Sequence, residues 1–194
     1  MLCITWDNTN SYENLATEEY FLKNADRDIF MLWRNANTIV VGKHQNTMAE
    51  INMDYVKEKD IRVVRRLTGG GAVFHDLGNL NFTFIKNDNN AGQADFQKYL
   101  KPIIEVLRSM GVNAEFQGRN DITIDGKKFS GNARTVYKNR VQVHGTLLFS
   151  SKMEDLANAL KTNPMKFKDK SVKSVRARVT NIKEHLPNGM DVLS

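Results

Sequence analysis

Cysteine is nearly absent: Cys3 is the single one in 194 residues. One thiol cannot close an internal disulfide, and it excludes a cysteine-based metal cluster within the chain. Proline is scarce, with three residues, and no low-complexity linker or internal repeat divides the sequence. No apolar run approaches the roughly 18–20 residues needed to cross a bilayer. The opening Met1-Leu2-Cys3-Ile4-Thr5-Trp6-Asp7 has neither a basic start nor a long apolar stretch, so it does not read as a signal peptide. A cytoplasmic location is the default expectation.

What is present is ordinary for a globular protein. The hydrophobic fraction is 41% and the charged fraction 26%, and the length suits one domain with a substantial core. The formal charge is +6, which invites a nucleic-acid reading. Much of the excess is gathered in Lys161, Lys166, Lys168, Lys170, Lys173, Arg176 and Arg178, opposed only by Asp169. Base stacking asks for aromatics among such charges; Phe167 is the only one, so nucleic acid is disfavoured. A solvated lysine-rich loop, an acidic protein partner and a polyphosphate ligand are all compatible with the stretch.

Leu2–Trp6 reads as a short strand. Ser11 reads as the N-cap of a helix over 12–24, with Glu13, Glu18 and Glu19 near its positive end. Strands follow over 29–33 and 38–41, a short helix over 53–59 and a strand over 61–65. Residues 80–85 alternate like a half-buried strand. The apolar stripe Phe96, Leu100, Ile103, Ile104, Leu107, Met110 predicts a helix over 95–110, interrupted at Pro102 and stopped by Gly111. Short strands are expected at 112–116, 122–124, 127–130, 133–137 and 141–149, with a last helix over 153–160. Asp125-Gly126 is a two-residue hairpin signal. Helices and tightly joined strands in this mixture predict an α+β domain with a mixed, largely antiparallel sheet.

Three segments carry candidate chemistry. The first is Arg65-Arg66-Leu67-Thr68-Gly69-Gly70-Gly71-Ala72-Val73-Phe74-His75-Asp76. Three glycines in a row remove every Cβ from the loop, so its amides can converge on an anion. The adjacent arginines add forked donors suited to phosphate or carboxylate. It is neither a Walker loop nor a dinucleotide GxGxxG pattern. Alone, a glycine triplet is a turn about as often as a phosphate site.

The second is Gly118-Arg119-Asn120-Asp121-Ile122 with Gly126-Lys127-Lys128-Phe129-Ser130-Gly131-Asn132-Ala133. Asn120 and Asp121 offer oxygens to Mg²⁺, which is usually held by one or two carboxylates plus phosphates. Strand alternation puts Lys128 and Ser130 on one face and Phe129 on the other. Pattern alone would leave Lys128 a solvated surface lysine. The third is His144-Gly145-Thr146 inside an apolar strand, where a glycine marks close approach by a ligand or a bulge.

Together with Trp33-Arg34-Asn35, HGTLLF (144–149) and KSVRARVTNI (173–182), these segments resemble the catalytic domain of lipoate–protein ligases, within the biotin/lipoyl ligase and octanoyltransferase superfamily. The resemblance runs from about Trp6 to Ile182. It implies the superfamily's class II synthetase-like fold over residues 1–194. It also implies ATP-dependent conversion of lipoic acid to lipoyl-AMP, then transfer to a lysine of an acceptor protein. Acceptors would be lipoyl domains of 2-oxoacid dehydrogenase E2 subunits and the glycine cleavage H protein.

Carried over residue by residue, the resemblance makes Lys128 the catalytic cation. Arg66, Gly71, Ala72, Val73, Phe74, Asn120, Asp121 and Lys128 would bind the nucleotide, with Asp121 holding Mg²⁺. Trp33, Arg66, Thr68, Gly70, His75, Lys128, His144, Gly145 and Thr146 would line the lipoate site. Family members often carry an accessory domain after the catalytic one, which is expected to be absent from this chain. A superfamily transferase working through a cysteine thioester is disfavoured, because Cys3 lies outside every motif. Biotin ligase is disfavoured by the missing Gly-Arg-Gly-Arg run. A lipoate-binding module without full adenylation activity is the reading from another class.

Overall fold

A computed structural model describes residues 1–88, 95–160, 179–187 and 190–192. The elements in chain order are β1 (Leu2–Trp6), α1 (Ser11–Asn24), β2 (Ile29–Trp33), β3 (Thr38–Val41), α2 (Thr47–Glu50), α3 (Met53–Glu58), β4 (Arg62–Arg65) and β5 (Val73–His75). They continue with β6 (Asn79–Asn87), α4 (Phe96–Ser109), β7 (Ala114–Gln117), β8 (Asp121–Ile124), β9 (Lys127–Tyr137), β10 (Arg140–Leu148) and α5 (Met153–Ala159). A 3-10 turn, Ile182–His185, follows.

The strands form two sheets. Seven lie in the order β1-β2-β6-β10-β9-β8-β7, and three in the order β4-β3-β5. Among the named strands of the described residues, β1–β2 and β3–β4 pair in parallel and the rest antiparallel, so the expected α+β class with a largely antiparallel sheet holds, divided over two sheets instead of one. Among the described residues no helix is long and apolar enough to cross a membrane.

The middle of the large sheet, β2, β6 and β10, is buried on both faces. Phe82 and Phe84 point to the face covered by α4, through Leu100, Ile103, Ile104 and Leu107. Trp33, Met31 and Ile85 point to the other, with Leu22 of α1. Each such side chain contributes about 1.5–3 kcal/mol by leaving water. Residues 80–85 are therefore not a half-buried strand: β6 runs through the middle of the sheet, and its polar Asn81 and Thr83 are buried beneath α1 and the small sheet. The small sheet packs its own cluster, Ile39, Val41 and Phe74, against α3 and α5.

Local signals account for the boundaries. Helix α1 is capped by Asn10, whose side chain accepts the Tyr12 N–H, so Ser11 is its first helical residue and not its cap. Glu18 is buried in mid-helix at 2% exposure instead of serving the helix dipole. Helix α4 runs through Pro102 and ends in a Schellman arrangement, with Gly111 at φ +87° and the Val112 N–H on the Leu107 carbonyl. Asp125 and Gly126 both have positive φ, as a type I′ hairpin requires. The separate strands expected at 127–130 and 133–137 are one strand, β9, because neighbours on both sides hold it across Gly131-Asn132. The basic stretch 161–178, and with it most of the 173–182 motif, lies outside the described residues.

Candidate active site

The glycine loop crosses from β4 to β5 in the small sheet and faces the large sheet where β9 and β10 present Lys128, Gly131, His144 and Thr146. Between them lies a cleft of about 220 Å³, lined by Trp33, Arg66, Gly69 to Val73, His75, Asn120, Lys128, His144, Gly145 and Thr146. A wider cleft of about 680 Å³ adjoins it, with walls that include Phe74, Asp121, Phe129, Leu148, Leu156 and Val179. Ala72, Val73, Lys128, Gly131 and Thr146 border both. Thus the residues singled out in three distant segments converge.

The arginines hold the loop itself. Arg66 is 8% exposed, and its Nε donates to Thr68 Oγ1 at 2.9 Å. Its Nη1 donates to the Val40 carbonyl at 3.0 Å, and its Nη2 to the carbonyls of Gly69 and Gly71 at 2.8 and 2.7 Å. Burial pulls its pKa down to about 10, which still leaves it charged at neutral pH. Arg65 binds the Gly42 and Gln45 carbonyls at 2.7 and 2.9 Å. Both guanidinium groups therefore act on backbone oxygens, where the sequence had pointed to forks open to phosphate. In a trans peptide the N–H opposes the C=O. Drawing the Gly69 and Gly71 carbonyls onto Arg66 thus turns the amides of Gly70 and Ala72 away from it. Gly70 adopts φ +99°, and its carbonyl fills the place where a Cβ on Gly42 would sit.

Lys128 stands on the boundary of the two clefts. Its Nζ lies 2.7 Å from Asp121 Oδ1, and its stem passes over Gly131, where a Cβ would meet Nζ at 3.1 Å. The register slips between Ile122 and Thr123, so β9 bulges at Phe129. The bulge breaks plain alternation: Phe129 and Ser130 are both buried, and Lys128 does not share a face with Ser130. Asn120 is fixed by Asn132, with its Nδ2 on the Asn132 carbonyl and the Asn132 Nδ2 on its own carbonyl at 2.8 Å.

A buried polar chain backs the smaller cleft. His144 Nδ1 donates to Glu18 at 2.9 Å, and its Nε2 takes the Thr68 hydroxyl at 2.8 Å. Glu18 also accepts from Thr83, which accepts the Trp33 indole N–H at 2.9 Å. His75 Nδ1 accepts from Asn35 Nδ2 at 3.1 Å, which leaves the proton on Nε2. That Nε2 is buried and has no partner among the described residues. Burial, reinforced by Arg66 and His144, pushes the His75 pKa down to about 3, so the ring is neutral. Gly145 borders the cleft through its backbone, but its missing side chain is explained by Asn132 Oδ1, 1.8 Å from where a Cβ would be, and by the Phe82 ring.

Glu18, Thr83 and Gly131 were not singled out by sequence as site residues. Glu18 had a signal: Ser11, Asn14, Glu18 and Leu22 recur at helical spacing as the buried face of α1. Among the described residues no three His, Cys, Asp or Glu side chains group as a metal site.

Two clefts thus meet at one lysine under a glycine loop, on sheets with the architecture of lipoate–protein ligase catalytic domains. Three solved structures share the architecture. A bipartite ligase from Thermoplasma acidophilum, described with its E2 lipoyl domain, is 29% identical with TM-score 0.84, over 97% of this chain and 77% of that one. Plasmodium falciparum LipL1 in complex with lipoate is 33% identical with TM-score 0.81, over 97% and 57%. A lipoate-protein ligase A bound with ATP is 26% identical with TM-score 0.81, over 97% and 78%.

The chain belongs to the lipoyl protein ligase A/B catalytic domain family, whose model matches residues 10–194. It is 50% identical to lipoate–protein ligase 1 of Staphylococcus aureus over 92% of its own length and 55% of that protein's. It is 48% identical to lipoate-protein ligase LplJ of Bacillus subtilis over 98% and 58%. The chain thus spans little more than half the length of these curated relatives.

Proposed function

We propose that this chain joins lipoate to ATP as lipoyl-AMP and passes the lipoyl group to a lysine on a lipoyl-domain protein. The observation that carries the proposal is the place of Lys128, at the junction of a narrow cleft and a wider one beneath the glycine loop. Lipoate and ATP are the ligands named for two of the similar structures, and an E2 lipoyl domain is named with a third. E2 subunits of 2-oxoacid dehydrogenases and the glycine cleavage H protein are the acceptors this reading expects, in the cytoplasm.

The acyl chain occupies the smaller cleft and the nucleotide the wider one. The lipoate carboxylate attacks the α-phosphorus, the bond to the β-phosphate oxygen breaks, and pyrophosphate departs. Two anions approach each other in this step, so Lys128 and the amides of the glycine loop offset their repulsion and hold the phosphoryl oxygens. Arg66 serves indirectly, by fixing the loop's peptide directions, and adds positive charge from behind it. In the second step an acceptor lysine amine attacks the acyl carbon, AMP leaves, and Lys128 donates to the carbonyl oxygen as charge gathers there.

Asp121 fits Mg²⁺, since a single carboxylate on the wider cleft leaves the remaining ligands to phosphates and water. The ion would supply charge neutralisation at the phosphates. Asn120, the preceding residue, lines the smaller cleft at the junction and not the wider one.

The test is a mass-shift assay of a lipoyl domain with lipoate and Mg-ATP. Wild type should add one lipoyl group, and Lys128→Ala should slow addition about 10²–10³-fold, the usual cost of a lost oxyanion donor. Equal rates would remove Lys128 from the chemistry. Preformed lipoyl-AMP should sustain transfer even where the ATP step needs help from an accessory domain; failure with both donors would contradict this.

A further inference from the structure

The β9–β10 ladder begins at Asn132↔Gly145, so Lys128 lies beyond its reach. On one side Lys128 pairs with Thr123 of β8. On the other its neighbour is the segment Val179–Thr180: Lys128 and Val179 form a parallel bridge, and the Thr180 N–H donates to the Lys128 carbonyl at 3.0 Å. Val179 also forms part of the wall of the wider cleft. The backbone of the lysine is thus clasped by a two-residue segment from much later in the chain.

One bridge with one hydrogen bond does not fix a strand, so the anchor matters. Asn181 supplies it. Its Oδ1 accepts the Ser151 N–H at 2.9 Å and its Nδ2 donates to the Ser151 carbonyl at 3.1 Å, a two-point grip on one residue's backbone. Ser151 is itself immobilised. The Lys152 N–H binds Asp76 Oδ2 at 2.8 Å, and a Cβ on Gly78 would meet the Ser150 carbonyl at 2.4 Å, so the 76–79 turn and residues 150–152 are in close contact. Ile182, at 1% exposure, plugs the main core, and the Lys183 N–H binds the Phe149 carbonyl at 3.0 Å.

We infer that Asn181 is a positioning residue for Lys128, acting through the Thr180–Lys128 hydrogen bond; the inference rests on the reading of Lys128 as the catalytic cation. Misplacement of a reacting group by about 1 Å costs on the order of 10²-fold in rate, which gives a remote amide leverage over the chemistry. Only an amide offers one acceptor and one donor to Ser151. A carboxylate keeps the first contact but sets an oxygen against the Ser151 carbonyl.

The experiment compares wild type with Asn181→Ala and Asn181→Asp in three measurements. These are single-turnover lipoyl transfer from saturating lipoyl-AMP to a lipoyl domain, lipoate affinity, and amide hydrogen exchange. Residues 179–181 do not border the smaller cleft, so lipoate affinity should stay within about twofold. Transfer should slow at least about tenfold in both variants. The Thr180 amide should exchange faster while that of Val143, inside β10, keeps its rate. Unchanged transfer overturns the inference. So does a slowing that comes with equal loss of lipoate affinity and uniformly faster exchange, which marks general destabilisation. If wild type itself transfers nothing, the proposed function fails, and the Thr180 exchange rate alone then decides: no change on mutating Asn181 refutes the clasp.

Discussion

The ammonium of Lys128 lies 2.7 Å from the carboxylate of Asp121, on the edge shared by the two clefts. The pair is partly exposed, so its own contribution to stability is small. Its consequence is directional: Asp121 draws the lysine toward the wider cleft, where the phosphates are placed by the proposed reaction. A carboxylate in contact with a cation also has an obvious exchange partner in Mg²⁺.

Gly131 and Gly145 border the same cleft but should respond differently to alanine. At Gly131 the new methyl meets only the end of a flexible lysine, at 3.1 Å. Gly131→Ala is expected to cut lipoyl transfer about tenfold, by shifting that ammonium, with little change in melting temperature. At Gly145 the methyl meets Asn132 Oδ1 at 1.8 Å and the Phe82 ring at 2.8 Å. Gly145→Ala should cost about 2–3 kcal/mol by overpacking, read by denaturant unfolding. A reversed order of effects would contradict this account of the two glycines.

Glu18, 2% exposed, is the shared acceptor of His144 and Thr83. Glu18→Ala removes a charged acceptor from both and should destabilise the protein by about 3 kcal/mol. For a chain of this size that is roughly 6–12 °C in melting temperature. Differential scanning calorimetry measures it, and an unshifted transition would show that the network adds nothing.

Stability should fall with acid through His75. Its folded pKa of about 3 lies below the ordinary 6.5. The unfolded chain therefore takes up a proton between these values that the folded one does not. The contribution is complete above pH 6.5 and is lost as pH falls toward 3, at up to ~1.4 kcal/mol per pH unit. Urea unfolding at pH 7.5, 5.5 and 4.5 should show a steeper decline for wild type than for His75→Asn. Parallel declines would mean that folding does not lower the His75 pKa.

Octanoate should be a slow substitute for lipoate. A largely apolar cleft gains about 0.8 kcal/mol per buried CH₂ from either acid and distinguishes them only at the ring sulfurs. Pockets of this kind discriminate by about 10–200-fold, so kcat/KM for octanoate should fall in that range. Complete exclusion of octanoate would contradict this reading of the cleft.

Much of this was legible in the sequence. Gly111, Asp125-Gly126 and the stripe of α4 set their own boundaries through local sterics and periodicity, and they appear where expected. Lys128 was legible only through resemblance, because nothing local distinguishes it from a surface lysine. The bulge at Phe129 and the clasp at Thr180 depend on strands far apart in sequence. The arginines misled for a similar reason: charge beside glycines announces an anion site, but partner carbonyls such as Val40's are fixed only by the fold. Glu18 looks like a helix-end charge in the sequence, because burial of a carboxylate is a tertiary fact.

The most direct measurement is the position of a non-hydrolysable lipoyl-adenylate analogue bound to this chain, determined by crystallography. The account predicts the acyl chain between Trp33 and His144, the nucleotide along Asp121 and Leu156, and Lys128 Nζ within about 3 Å of the phosphoryl or acyl oxygen. An analogue seated elsewhere, or a lysine still turned away from it, would contradict the account.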